Sequence, residues 1–511
     1  MDRLHDNAML HPGKVAAVFT GGASLTYGEL DRRASRVARW LISLGLAPGD
    51  GIALLMDNDP RTFELWFGAR RAGIYYTPLS TQLTRFEVAD IVNDCGAKLL
   101  ITTTRTAAIA DDLPPLLQNE LIGHFVIGET QNHAQCYEAA VLTASDEGEL
   151  PPRPVGREFL YSSGTTGKPR GIRRPLARYE DRYALPELEQ RLRAIFELSA
   201  GTVYLSPSPL YHSTGRFNVR VIECGGTAVV MDKFDSEAAL AAIERHRVTH
   251  SHWVPTMFVK LLALPEATRA RYDLASMRRA IHAAAPCPPE LKDAMIQWWG
   301  PILDEYYGGT ENAGVTYIDS HDWLRHRGSV GRPICGAAHI LGDDGAELVA
   351  GATGSIWFSG GVGFAYHNDA AKTASAVDAR GWATYGDIGH LDAQGYLYIS
   401  DRRADLVVTG GVNVYPQEIE NVLLTHPAVF DAAVIGVPDA VYGEQVKAVV
   451  QLKPASACGD AVRADLLAHC AARLSKIKCP RTIEFVDALP RTETGKLLRR
   501  VLKARHRTAH N

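Results

Sequence analysis

The sequence predicts an α/β fold: a large N-terminal domain of parallel sheets layered with helices, followed by a small α+β C-terminal domain. Three observations predict it. The chain has 511 residues, more than one hydrophobic core usually supports. Helical and strand periods alternate over residues 1–400, as parallel βαβ units require. At Asp401-Arg402-Arg403-Ala404-Asp405 a short charged connector breaks that alternation, and residues 406–511 then form a stretch of the size that folds by itself.

Taken in order, Thr26-x-x-Glu29 is a capping-box pattern. Leu30, Ala34, Val37, Leu41 and Leu44 follow at helical spacing until Gly45 ends the helix. Gly51 to Met56 is a short apolar run suited to a buried strand. Arg61 to Arg71 is helical, a strand follows near Tyr75, a helix near Glu87 and a strand over Lys98 to Thr102. The alternation resumes at Thr227 to Met231, Ala238 to Arg245 and Leu274 to Ala285, and Leu397 to Ser400 is the last strand before the connector. Beyond it come a helix over Gln417 to Leu424, strands at Val429 to Ile435 and Val446 to Leu452, a helix over Ala461 to Leu474 and a strand at Thr482 to Val486.

Composition excludes several classes. Hydrophobic residues at 46% and charged residues at 22% describe an ordinary globular protein. A net charge of -4 offers no basic field for nucleic acid and no polybasic face for anionic lipid. No apolar run approaches the roughly 18 residues of a membrane-spanning helix. Met1 to Asp6 lacks the apolar core of a secretory signal. The eight cysteines (95, 136, 224, 287, 335, 458, 470 and 479) form no Cys-x-x-Cys pair, which argues against a disulfide framework and a zinc site. The expected location is the cytoplasm.

The strongest single motif is Tyr161-Ser162-Ser163-Gly164-Thr165-Thr166-Gly167-Lys168-Pro169, directly after Phe159-Leu160. Glycines let backbone N–H groups approach an anion, hydroxyls donate, and the lysine adds charge, so the loop suits phosphate oxygens. It is not a Walker A loop, because Gly-x-x-x-x-Gly-Lys is absent and proline follows Lys168.

This segment resembles the phosphate-binding loop of AMP-forming acyl-CoA synthetases, the superfamily shared with peptide-synthetase adenylation domains and luciferases. Other family motifs follow in order. Tyr307-Gly308-Gly309-Thr310-Glu311 resembles the Tyr-Gly-x-Thr-Glu element, whose threonine contacts the α-phosphate and whose glutamate holds Mg²⁺. Tyr385-Gly386-Asp387 resembles the element whose aspartate takes both ribose hydroxyls, and Asp401-Arg402 the entry to the hinge, its arginine reaching ribose or phosphates. Gly410-Gly411-Val412-Asn413-Val414-Tyr415-Pro416-x-Glu418 resembles the loop that helps form the thiolation site. Thr494-Gly495-Lys496, with Arg499 behind it, resembles the segment carrying the catalytic lysine. Each motif alone has an ordinary structural explanation: Thr310-Glu311 as a helix start, Asp387 as a turn residue, Lys496 as a solvated lysine. Six in order, spanning residues 25–500, identify the family.

The resemblance implies ATP, Mg²⁺ and coenzyme A as partners of a small carboxylic acid, with domain 1–400, hinge 401–405 and a mobile lid 406–511. The carboxylate attacks the α-phosphorus of ATP, and the enzyme must hold two anions together while charge moves onto pyrophosphate. Ser162 to Lys168 would grip the β- and γ-phosphates, Thr310 the α-phosphate, Glu311 the metal, and Lys496 would sit between carboxylate and α-phosphate. Ala283, Ala284 and Ala285, in His282-Ala283-Ala284-Ala285-Pro286-Cys287-Pro288, stand where the family often has Gly-Gly-Ala-Pro against the adenine. For thiolation the lid would rotate, presenting Gly410 and Gly411, with Arg481 (and Lys478 beside it) as cations for the nucleotide phosphates of coenzyme A. Ala404 stands where the family hinge usually has Asp or Lys.

By the same resemblance the acid pocket draws on His212, His282 and Tyr306. A tyrosine at 306 shortens the deep slot found in hydroxycinnamate ligases, and the Tyr-Ser-Ser-Gly and His-Ala-Ala-Ala-Pro-Cys-Pro stretches resemble bacterial fatty-acyl-CoA synthetases. A fatty acid is the expected substrate, with an aryl or arylpropenoic acid as the alternative. Arg216 could anchor a distal anion, though an ion pair is the commoner role for such an arginine. Loading of a carrier protein is a rival activity, and a catalytically silent binding protein a rival class. No insertion of the kind found in fatty-acyl-AMP ligases is visible. A homodimer is compatible with the sequence, which does not fix the oligomeric state.

Overall fold

The computed structural model describes residues 2–129, 135–145, 147–162, 170–361, 363–409, 412–439, 442–454, 456, 458–492 and 495–507. It divides into two compact units: residues 1–253, 260–281 and 364–375 form the first, and 254–259, 282–363 and 376–511 the second.

Two sheets organise the first unit. One runs Tyr75–Leu79, Gly51–Leu55, Ala97–Thr103, Gly123–Ile127, Gln135–Cys136, every neighbouring pair parallel. Helices with strong boundary signals cross between its strands. Arg85–Cys95 starts on a capping box of Thr84 and Glu87 and ends on left-handed Gly96, and Arg61–Ala72 ends on left-handed Gly73. Gly51–Leu55 is buried at every position, as its unbroken apolar run demands. The second sheet places His250–Trp253, Val203–Ser206, Thr227–Val230 and Val15–Phe19 side by side in parallel, with Ser24–Thr26 antiparallel at the end. Helix Tyr27–Ser43 packs here: the Thr26–Glu29 capping box is formed, and Leu30, Ala34, Val37 and Leu41 are fully buried. Leu160–Ser162 and Arg170–Ile172 form an antiparallel pair, Ser162 opposite Arg170.

The second unit is mostly antiparallel, and much of that was not legible in the sequence. Leu303–Tyr307, Val315–Ile318 and Arg332–Cys335 pair in turn. A four-stranded sheet of Ala337–Leu341, Gly354–Ser359, Asp387–Leu391 and Leu397–Arg402 follows. The strand expected to stop at Ser400 continues through Arg402, and the connector is a 3-10 turn over Arg403–Asp405 with Ala404 exposed. The C-terminal sheet orders Val412–Val414, Val407–Thr409, Gly443–Leu452 and Val429–Asp439, with Thr482–Phe485 parallel to Gly443–Leu452. Strand Val429–Asp439 is apolar on both sides because each side has a core. Val434 packs with Ile419, Leu423 and Leu466, whereas Ile435 packs with Leu489 and Leu502. Among the described residues no helix is long and apolar enough to cross a membrane.

Candidate active site

Strand register builds the centre of the site in the second unit. Asp387 opens one strand and lies directly opposite Arg402, the last residue of its antiparallel partner. Side chains directly opposite share a face, so the carboxylate and guanidinium meet, with Arg402 Nε 3.3 Å from Asp387 Oδ1. The Tyr307 hydroxyl, from the end of a strand in another sheet, donates to Asp387 Oδ2 at 2.5 Å. Burial pushes the Asp387 carboxyl above its ordinary range, and Arg402, the Tyr307 hydroxyl and Lys496 pull against it.

The loop after Tyr307 is confined by aromatic rings. A Cβ on Gly309 would come within 2.5 Å of the Tyr385 ring, and one on Gly314 within 2.1 Å of Phe358, so both positions require glycine. The Tyr385 hydroxyl donates to the Gly314 carbonyl at 2.8 Å and accepts from the Gly314 N–H at 3.3 Å. Between these anchors the Thr310 hydroxyl donates to Glu311 Oε2 at 3.3 Å. One carboxylate with an adjacent hydroxyl would fit Mg²⁺, a hard cation that takes oxygen ligands and usually keeps several waters. Among the described residues no group of three or more His, Cys, Asp or Glu could form an all-protein metal cage.

Lys496 arrives on a tight turn. The Gly495 N–H donates to the Thr492 carbonyl at 2.8 Å and the Thr492 N–H to the Lys496 carbonyl at 2.9 Å. The Lys496 N–H donates to Thr492 Oγ1 at 3.0 Å. Gly495 has φ +75°, and a Cβ there would lie 2.1 Å from Thr256 Oγ1. Arg491 ties the turn down, donating to the Gly495 carbonyl and, bidentately, to Asp431 at 2.7 Å. Burial lowers the Lys496 ammonium to about 8, with Arg402 reinforcing the shift and Asp405, Asp387 and Glu311 opposing it. The lysine thus shares an electrostatic neighbourhood with the Asp387–Arg402 pair and Glu311.

The connector is held from both sides. Asp401 accepts from the Gln417 N–H at 2.9 Å, in the first turn of helix Pro416–Leu424, and burial raises its carboxyl to about 6. Arg499 binds Glu420 at 2.6 Å and Asp405 at 3.3 Å. The cations expected for coenzyme A are engaged within the second unit: Lys478 donates to both Glu418 oxygens at 2.7 Å, and Arg481 lies over the Tyr442 ring at 4.2 Å. Ser163 to Pro169, Gly410, Gly411 and Thr494 lie outside the described residues.

The expected pocket residues divide. Directly opposite neighbours Tyr306 and Tyr317 share one face of their strand pair with Asp304, which accepts from the Tyr317 hydroxyl at 2.7 Å. His282, expected to contribute to the acid pocket, is fully buried on the Glu305 side, its Nε2 3.6 Å from Glu305 Oε2 and its ring edge-on to Phe258. Alternate residues of a strand face opposite ways, so His282 lies on the face of Glu305 and not on that of Tyr306. In the first unit, burial lowers His212 to about 4, which keeps its imidazole neutral. Arg216 is paired with Glu158 at 3.4 Å, so its charge is not available for a distal anion. Of the three alanines, Ala283 is buried, Ala284 is exposed at φ 75°, and Ala285 is half-buried. The Lys292–Glu305 ion pair was missed, since a lysine in a polar-looking helix start gives no sign of burial.

Residues 4–365 match the family described as AMP-binding enzyme, and residues 418–496 its C-terminal domain. The chain belongs to the AMP-binding enzyme family. A feruloyl-CoA synthase of Amycolatopsis sp. is 34% identical over 96% of this chain and 95% of its own length. The long-chain-fatty-acid–CoA ligase FadD13 of Mycobacterium tuberculosis is 31% identical over 94% of this chain and 93% of its own. ATP-bound MatB from Rhodopseudomonas palustris superposes with TM-score 0.83 at 28% identity, covering 100% of both chains. The protein is an AMP-forming acid–CoA ligase acting through an acyl-adenylate, as these relatives and the family motifs agree.

Proposed function

We propose that this ligase activates a fatty acid, with the lid residue Lys496 as the catalytic cation of the first half-reaction. What supports the reading is one observation: Tyr307, Asp387, Arg402, Glu311 and Lys496, scattered over 190 positions of sequence, converge in a single charged neighbourhood. A carboxylate oxygen attacks the α-phosphorus, the bond to the bridging oxygen breaks, and pyrophosphate leaves. Lys496 offsets charge on both reacting anions, and Thr310 donates to the α-phosphate. Asp387 takes the ribose hydroxyls, its geometry set by Tyr307 and Arg402. Glu311 would hold Mg²⁺, which when bound would neutralise phosphate charge further. The adenine lies against Ala283 to Ala285, with Tyr307 and Gly308, and Ser162 to Lys168 grips the outer phosphates.

In the second half-reaction the thiol sulfur of coenzyme A attacks the acyl carbon and AMP leaves. Residues 401–405 serve as hinge between domain 1–400 and lid 406–511, Gly410 and Gly411 line the thiol path, and Arg481 leaves Tyr442 to meet coenzyme A phosphate. Tyr306 and His212 line the acid pocket. Tyr306 limits a rigid ring more than a flexible alkyl chain, which favours a fatty acid; the likeness to a feruloyl-CoA synthase favours an arylpropenoic acid as the second reading. The test is incubation with ATP, Mg²⁺ and fatty, benzoic and cinnamic acids, with and without coenzyme A, read by mass spectrometry. A fatty acyl-CoA formed with AMP is expected. Exclusive cinnamoyl-CoA formation would overturn the substrate, and adenylate that never becomes thioester would point to carrier-protein loading.

A further inference from the structure

Behind the strand that carries Tyr306 and Tyr307 lies a buried charged cluster for which the reaction as described has no use. Lys292, on helix Pro289–Trp299, is completely buried, with Nζ 2.7 Å from Glu305 Oε2. The same ammonium stands 4.9 Å from the Trp323 ring centroid. His282 closes the other side, Nε2 3.6 Å from the same carboxylate oxygen. Burial pushes Glu305 up from its ordinary value and Lys292 draws it back; the nearby Cys287 thiol is pushed up by burial and by Glu305. A buried ion pair of this kind often stabilises less than well-packed apolar side chains would, so its presence asks for another explanation.

The positions of its members supply one. Glu305 and Tyr307 lie on the same strand face, two residues apart, while Tyr306 faces the other way. Tyr307 is the residue that binds Asp387. His282 directly precedes Ala283, and Ala284 is held at φ 75°. A single carboxylate therefore ties the strand ending in Tyr307 to the helix that follows the alanine turn and lies against the start of that turn. We infer that Glu305, held by Lys292 and lying against His282, is a positioning residue for the nucleotide: it fixes the spacing between the Ala283–Ala285 turn and the Tyr307–Asp387 arm, and it acts on ATP rather than on the acid. The inference rests on the proposed assignment of those two segments to adenine and ribose.

The full-length enzyme decides it through Michaelis constants measured separately for ATP, acid and coenzyme A. Removing one partner alone strands a buried charge, so the first variant is the double change Lys292→Met with Glu305→Gln, which removes the ion pair at similar volume. Its KM for ATP is expected to rise roughly tenfold while the KM for the acid stays within about twofold. Glu305→Asp with Lys292 retained is expected to recover part of that loss. If the double variant does not fold, His282→Gln, which keeps the ion pair, carries the test, with an expected rise of roughly threefold in the KM for ATP alone. An unchanged KM for ATP in a folded variant, or a rise in the KM for the acid instead, would overturn the inference. Asp387→Asn separates the two levels: if it also leaves the KM for ATP unchanged, the nucleotide assignment itself has failed.

Discussion

Asp387 in the second unit and the Tyr211–Arg216 loop in the first treat buried polar groups in opposite ways. Each oxygen of Asp387 has a partner, Tyr307 on one side and Arg402 on the other. In the loop, the Tyr211 hydroxyl, His212 Nε2 and Thr214 Oγ1 are buried with no partner among the described residues. A buried polar group left without a partner costs about 1–3 kcal/mol, so groups like these persist where a ligand or water answers them. On the proposed assignment of His212 to the acid pocket, this contrast places substrate identity in the loop. Both oxygens of Asp387 are satisfied within the protein, whereas the loop leaves three polar atoms unanswered among the described residues.

The largest effect should come from the complete side. Lys496→Ala is expected to slow adenylate formation by about 10²–10³ while thioester formation from supplied acyl-adenylate persists. Pyrophosphate exchange and coenzyme A consumption measure the two steps separately. Equal loss in both would mean that the lysine serves more than the first half-reaction, and no loss would support a silent binding protein. Next comes the ion pair that closes the loop's charge. Burial alone would raise Glu158, but Arg216, Arg157 and Arg70 outweigh it and hold the carboxyl near 2, against an ordinary 4.5. A carboxyl lowered on folding contributes stability that is present above its unfolded value and is lost as pH falls through the folded one. The difference, at about 1.4 kcal/mol per pH unit, is worth about 3 kcal/mol, lost between roughly pH 4.5 and 2. Urea midpoints across that range should fall less steeply in Arg216→Gln, which already lacks the leading counter-charge; an identical slope would show that Arg216 is not what holds Glu158.

The parts of this contrast that the sequence made legible are the ones dictated locally. Thr26 with Glu29, Gly45 and the run at 51–55 form the elements their chemistry predicts, because caps, left-handed turns and unbroken apolar strands are decided within a few residues. The four-stranded sheet from Ala337 to Arg402 was largely illegible, since its short strands are separated by glycine-rich turns and gain their apolar faces only when paired. The motifs placed Asp387 and Arg402 in one site, but their meeting does not follow from spacing, because cross-strand register depends on turns elsewhere. Which face His282 takes was illegible for the same reason: one step along a strand reverses the face, and the Lys292–Glu305 pair beside it joins residues whose burial no local pattern announces.

The lowered Lys496 ammonium leaves a third mark, in the pH dependence of the first half-reaction. Lys496 is charged below about pH 8 and neutral above it. Because kcat/KM reports the free enzyme, its value for ATP should fall roughly tenfold for each pH unit above that point, two units earlier than an ordinary lysine would allow. A plateau extending to pH 10 would mean that the ammonium is not needed for ATP to react.

The smallest effect belongs to His212, and it separates the two regions most cleanly. With its imidazole held near 4 by burial, the residue is neutral throughout the working range and cannot act as a charge on the substrate. A carboxylate at neutral pH needs no base either. On the proposed reading His212 is a pocket wall, with one buried nitrogen that lacks a partner among the described residues. His212→Ala should therefore alter the ranking of acids by about five- to tenfold, the worth of one hydrogen bond, and leave the KM for ATP unchanged. Acids with a hydrogen-bonding group along the tail should lose most, and unsubstituted alkyl acids least. If all acids lose equally, the nitrogen answers to water or protein instead of substrate. If the KM for ATP moves as well, the loop is not the acid's side of the reaction, and the division drawn between the two regions fails.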